Sequence, residues 1–120
     1  MKKILLFSLI ISLGILNITT SYASSLPIYD ETYNNNQGAI YANGTPIIVS
    51  EENGKTVVSW ENGSQIVPNS VTIFGGGNGG NFASSNITMN GGTVQNLVGG
   101  GIGFTEENSS FVSNTQIIIN

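Results

Sequence analysis

Between residues 69 and 120, short runs of β-branched and apolar residues alternate with pairs and triplets of glycine, as in "SVTIFGGGNGG", "SNITMNGG" and "TVQNLVGGG". Each run has the length of a strand. No stretch of helical period separates one run from the next, so a fold built from βαβ crossovers is excluded. Glycine between the runs supplies conformations and close backbone approaches that other residues resist. The segments also recur. Ile87-Thr88-Met89-Asn90 returns as Ile117-Ile118-Ile119-Asn120, 30 positions later, and Phe74-Gly75-Gly76-Gly77 returns as Val98-Gly99-Gly100-Gly101, 24 positions later. A chain that repeats short strands at such intervals predicts a parallel β-solenoid (β-helix), in which stacked coils place like residues over like. Apolar residues then form an internal ladder, with Asn and Thr outside or at the corners. Only 8% of the residues are charged, as stacking requires, because like charges placed one above another repel.

Upstream the texture differs. "AIYANGTPIIVSEENGKTVVSWENGSQIV" sets β-formers between Asn-Gly pairs at Asn43-Gly44, Asn53-Gly54 and Asn62-Gly63. Tight hairpin turns need positive φ, which glycine adopts freely and asparagine tolerates. This predicts an antiparallel β-meander over 38–68, with strands at Pro46 to Ser50, Thr56 to Trp60 and Gln65 to Val67, ended by Pro68. It would cap the glycine-rich repeats of 69–120. Residues 24–37, with Pro27 and Asn34-Asn35-Asn36, read as a flexible leader. The expected class is therefore all-β: an antiparallel cap followed by the start of a parallel β-helix.

The first residues set the compartment. Lys2 and Lys3 precede the apolar run Ile4 to Leu16 and the small-residue end Ser21-Tyr22-Ala23, the layout of a secretory signal peptide over 1–23, cleaved between Ala23 and Ser24. The apolar run is shorter than the roughly 20 residues that a spanning helix needs, so no membrane span is expected after cleavage. Processing leaves one lysine, Lys55, against seven carboxylates, a net charge of −6. Nucleic acids are excluded as partners, because their phosphates are neutralised by Lys and Arg. The absence of cysteine excludes disulfides, thiolate metal sites and a lipid-bearing cysteine.

"VTIFGGGNGG" and "SNITMNGGTVQNLVGGG" resemble the glycine-rich parallel β-helix repeats of large surface or secreted proteins of Gram-positive gut bacteria. The resemblance covers Val71 to Asn120 and extends to the meander from Ile40. It implies an adhesin-like or structural scaffold, and no catalytic residues come with it. This sequence departs from the pattern in having barely two units, the second stopping at Asn120 where the first continues as Gly91-Gly92-Thr93. Since solenoid coils bury their apolar face against neighbouring coils, an incomplete reading frame is expected. Ile117-Ile118-Ile119 would form an exposed edge.

Chemical motifs reduce to turns. Gly75-x-Gly77-x-x-Gly80 matches a dinucleotide fingerprint in letters, but a β-run follows it rather than a helix, so no helix N-terminus waits for a pyrophosphate. Gly54-Lys55-Thr56 resembles the end of a phosphate loop, with Val49 where the first glycine belongs. "GGNGGNF" has Asn81 where a calcium-binding repeat needs a carboxylate. Glu51-Glu52 and Glu106-Glu107 read as solvated loop charge. The mature chain has no His, no Arg, one Lys and one Asp, Asp30. Neither the base and cations of a lyase nor the carboxylate pair of a hydrolase is in view, and no cofactor is expected.

Binding rests on aromatics. Trp60, with Tyr41 as second contact and Tyr33 and Tyr29 nearby, provides faces that stack on sugar rings, though Trp60 would equally cover the first coil. The sequence therefore predicts a secreted or cell-surface, non-catalytic scaffold or adhesion segment. Two other classes compete. One is a small carbohydrate-binding module at Trp60, taking a host or cell-wall glycan. The other is an amyloid-like extracellular fibre subunit, self-associating through its strand edge.

Overall fold

Turn chemistry decides where the strands of this chain begin and end. The computed structural model describes residues 26–103 and 110–120; the expected signal peptide, its Ala23-Ser24 junction and Glu106-Glu107 lie outside them. Among the described residues are β1 (Ile28–Asp30), the four-residue helical turn α1 (Tyr33–Asn36), β2 (Ala39–Tyr41) and β3 (Ile47–Glu52). β4 (Lys55–Trp60), β5 (Gly63–Val67), β6 (Thr72–Phe74), β7 (Gly80–Met89), β8 (Asn96–Val98) and β9 (Ser110–Ile119) follow. The all-β class is thus what the chain adopts. At Asn53-Gly54, φ of 52° and 76° makes the tight reversal from β3 to β4. Asn43-Gly44 has the same conformation, at 53° and 79°, but turns the chain from one sheet into the other. Neither Asn62 nor Gly63 lies at positive φ: the reversal uses Glu61 and Asn62, and Gly63 already pairs with Trp60.

The strands form two mixed sheets, ordered β1-β2-β6-β8 and β5-β4-β3-β7-β9. In the first, β2, β6 and β8 are parallel; in the second, β3, β7 and β9 are. Residues of β7 and β9 pair 30 positions apart throughout, from Gly80 with Ser110 to Met89 with Ile119, and those of β6 and β8 pair 24 apart. Like side chains therefore adjoin. Ile40, Ile73 and Leu97 form one row, and Ile47, Ile87 and Ile117 another.

These pairings revise the expected order of an antiparallel unit followed by a parallel one. Neither sheet is purely parallel, and β2 and β3, placed by sequence in the cap, open the two parallel runs. Only β4 and β5 are antiparallel additions on that side, because the Asn53-Gly54 reversal pairs β4 locally with β3. The expected leader also joins the fold. Asn34, Asn35 and Asn36, at φ of 49°, 58° and 67°, reverse the chain and bring β1 antiparallel to β2. Asparagine tolerates this left-handed region better than most residues.

The core has two parts. Ile40, Val71 and Ile73 of the first sheet side meet Ile47, Val49, Val58 and Ile87 of the second, all of them buried. A smaller cluster of Ala39, Tyr41 and Phe74 lies on the opposite face of the first sheet, with Tyr33 packed against it. Hydrogen bonding continues around the corner between the sheets: the Gly44 N–H donates to the Gly75 carbonyl at 2.9 Å, and the Gly75 N–H donates to the Val98 carbonyl at 2.8 Å. Such stacking needs glycine at 75, where a Cβ would meet the Ser85 side chain and stand 2.7 Å from the Gly99 carbonyl oxygen. The Ser85 hydroxyl donates to that same oxygen at 2.6 Å.

Candidate binding groove

Trp60 ends β4 and faces Gly63 across the β4–β5 turn. A Cβ at Gly63 would lie 2.8 Å from the indole nitrogen and 2.9 Å from two ring carbons, so the ring rests directly on the glycine backbone. Part of the ring also packs against the larger core cluster. Its remaining surface separates two adjoining hollows. One, of about 480 Å³, is bounded by Ile48, Ser59, Asn86 and Thr88; the other, of about 400 Å³, by Leu26, Gly44 and Asn62. Thr45, Pro46, Trp60 and Glu61 belong to both.

Pairing explains how the groove is assembled. Ser59 lies opposite Ile48 on one side, and Thr88 lies beside Ile48 on the other, so residues from three strands share one row. Ile48 is 45% exposed between the buried Ile47 and Val49, which puts this row on the outer face. The groove thus offers an indole, hydroxyls, the Asn86 amide and one carboxylate. Among the described residues no cation lines it: Lys55 stands at the opposite end of β4. That donor set suits an uncharged polyhydroxylated ligand better than a phosphate or sulfate.

Tyr41 is not part of it. Its side chain is 5% exposed and its ring stacks on Phe74, with centroids 5.3 Å apart and planes 14° apart. Tyr33 meets Phe74 edge-on at 5.8 Å. Tyr41, expected as a second sugar contact, has one face occupied, because its parallel pairing with Phe74 places the rings side by side. What Tyr41 does reach is a separate hollow with Tyr29, Asp30 and Asn43. Burial raises the Tyr41 hydroxyl above its ordinary pKa, assisted by the negative charge of Asp30 and by Tyr33. Tyr29 is raised by burial and then by Glu31.

Glu51 and Glu52, expected in a loop, end β3 with both residues exposed, and of Gly54-Lys55-Thr56 only Gly54 lies in the turn, since Lys55 and Thr56 begin β4. Gly75 to Gly80 joins β6 to β7, strand to strand. Among the described residues no group of three His, Cys, Asp or Glu side chains is placed to hold a metal. Nothing in the sequence around Asn86 and Thr88 links them to Trp60. They reach Trp60 only through the 40-residue register of β3 on β7. Comparison with family models, curated proteins and solved structures finds no match for this chain.

Proposed function

We propose that this chain is a non-catalytic segment of an exported, cell-surface or extracellular scaffold, built as stacked coils of a short parallel β-solenoid from which the β4–β5 hairpin projects. The observation that supports this reading is the register. The 30- and 24-residue recurrences of the sequence coincide with the pairings of β7 on β9 and β6 on β8, as successive coils require. The groove adds to it, since among the described residues that line it Glu61 is the sole titratable side chain, and carboxylate-driven hydrolysis uses a pair. The test is to express the full-length chain in a bacterial host and recover it from the medium. The expected product begins at Ser24 and leaves neutral and uronic polysaccharides uncut. A cytoplasmic product still beginning at Met1 would overturn the export, and release of new chain ends would overturn the non-catalytic reading.

A second reading is favoured by the pair of hollows flanking Trp60: binding of a neutral glycan chain along the groove, as an adhesion scaffold would use. Trp60 is the chain's single tryptophan, so its fluorescence reports on this site alone. Neutral oligosaccharides are expected to change its emission, and Trp60→Ala to abolish retention on a glycan array with the β-type circular dichroism unchanged. Loss of the β spectrum in that variant would mean that the indole serves packing instead.

A further inference from the structure

Asparagine followed by glycine is a reactive pair as well as a turn signal. The glycine nitrogen can attack the carbonyl carbon of the asparagine side chain, and with no side chain on glycine nothing shields that nitrogen. The chain has five such pairs, beginning at Asn43, Asn53, Asn62, Asn78 and Asn90. Closing a succinimide ring requires the backbone between the two residues to rotate. Hydrogen bonds and packing at the pair oppose that rotation, so the fold decides which pair reacts.

Four of the pairs are tied into the structure. Asn43 is 6% exposed; its N–H donates to the Gly76 carbonyl at 3.0 Å, its side-chain amide to the Leu26 carbonyl at 3.0 Å, and the Gly44 N–H to the Gly75 carbonyl at 2.9 Å. Asn78 bridges to Ile102, and the Gly79 N–H donates to the Ile102 carbonyl at 2.8 Å. Gly63 already pairs with Trp60, with the indole against it. The Asn90 N–H donates to the Val49 carbonyl at 2.8 Å, and its side-chain oxygen accepts from the Asn120 amide at 2.6 Å. Asn53-Gly54 is the exception. Both residues are exposed in the β3–β4 reversal, and a Cβ at Gly54 would meet nothing within 4 Å. Among the described residues neither forms a hydrogen bond.

We propose that Asn53 is a site of spontaneous deamidation in the folded protein, and that it converts before the other four asparagines that precede glycine. The Gly54 nitrogen gives up its proton to solvent and bonds to Cγ of Asn53. The Cγ–Nδ2 bond breaks, and the amide nitrogen takes a proton from solvent and leaves as ammonia. Water then opens the ring at either of its carbonyls, which leaves aspartate or isoaspartate at position 53. Water is the only co-reactant and nothing is oxidised or reduced. Either product adds a carboxylate next to Glu51 and Glu52, with Lys55 as the one cation of the hairpin, and neighbouring like charges repel. Isoaspartate also inserts a backbone carbon into a reversal that pairs Glu52 directly with Lys55. The modification therefore acts on the turn that sets β4 against β3. It follows from the turn's own geometry and holds whether or not the scaffold reading does.

The test holds the full-length chain in mildly alkaline buffer, with a parallel sample in guanidinium chloride, and follows each asparagine by peptide mass over days. Cleavage after Glu51, Glu52 and Glu61 puts Asn43 and Asn53 on separate peptides; fragmentation resolves the rest. In buffer the amide-to-acid mass rise is expected about tenfold faster at position 53 than at 43, where three hydrogen bonds must open first. In guanidinium chloride the five sites should convert at similar rates, since local sequence alone then distinguishes them. Asn53→Gly keeps the left-handed turn conformation and removes the amide. It should abolish the early acidic species on isoelectric focusing with the circular dichroism unchanged. Retention of Asn53 in buffer for as long as Asn43, conversion of Asn62, Asn78 or Asn90 ahead of it, or similar conversion of all five would each overturn the proposal.

Discussion

Gly75 and Gly100 stand in glycine triplets that look alike in the sequence, yet their surroundings differ completely. A Cβ at Gly75 would enter the Ser85 side chain and the Gly99 carbonyl, whereas one at Gly100 would meet nothing within 4 Å, and neither residue has positive φ. Gly75→Ala is therefore expected to cost about 1–3 kcal/mol through overpacking, and Gly100→Ala to leave stability nearly unchanged; denaturant midpoints of the two variants check this. Tyr41 carries a second prediction at this scale. Its pKa is raised above 10.0 in the folded chain, mainly by burial. Between the unfolded and folded values the unfolded chain has lost the phenolic proton and the folded chain has kept it. Stability is then full below pH 10 and falls as pH rises through the folded value. Urea titrations at increasing alkaline pH should show this fall, and Tyr41→Phe should reduce its slope.

At the level of elements, a buried hydroxyl adds to the β3–β4 pairing that holds the β4–β5 hairpin. Thr56 is 2% exposed, accepts the Thr93 N–H at 2.9 Å and lies 3.1 Å from the Asn69 side-chain oxygen. It thereby joins the root of the hairpin to the turn between β7 and β8. Thr56→Val keeps the volume and removes the acceptor, so a loss of about 1 kcal/mol is expected. Amide exchange at Thr93 should quicken while Ile73 and Ile87 stay protected. Much of this level was legible beforehand. The expected strands at 46–50, 56–60 and 65–67 lie within one or two residues of β3, β4 and β5, because Asn53-Gly54 and Pro68 are local signals. Their sheet partners were not legible. Tyr41 sits three residues from Gly44 in the sequence, but its stacking on Phe74 follows from a partner strand 33 residues away.

Over the whole molecule, stability depends on rows that cross both sheets. Ile87 is fully buried between Ile47 and Ile117, while Ile117 at the edge is 39% exposed. Ile87→Ala is expected to cost about 2–5 kcal/mol, a large share of a small domain's total, and Ile117→Ala distinctly less. Thermal melts of the two variants decide the order. The all-β class, the hairpin between 46 and 67 and the spacing of the glycine-rich turns are written locally in the chain, because strand propensity and turn conformation depend on neighbouring residues. Tertiary structure alone decided that β2 and β3 open the parallel runs, that Asn86 and Thr88 join Trp60, and that Tyr41 is enclosed. Those outcomes follow from which strands lie side by side, and that choice is made by burial of apolar faces between segments 24 to 40 residues apart.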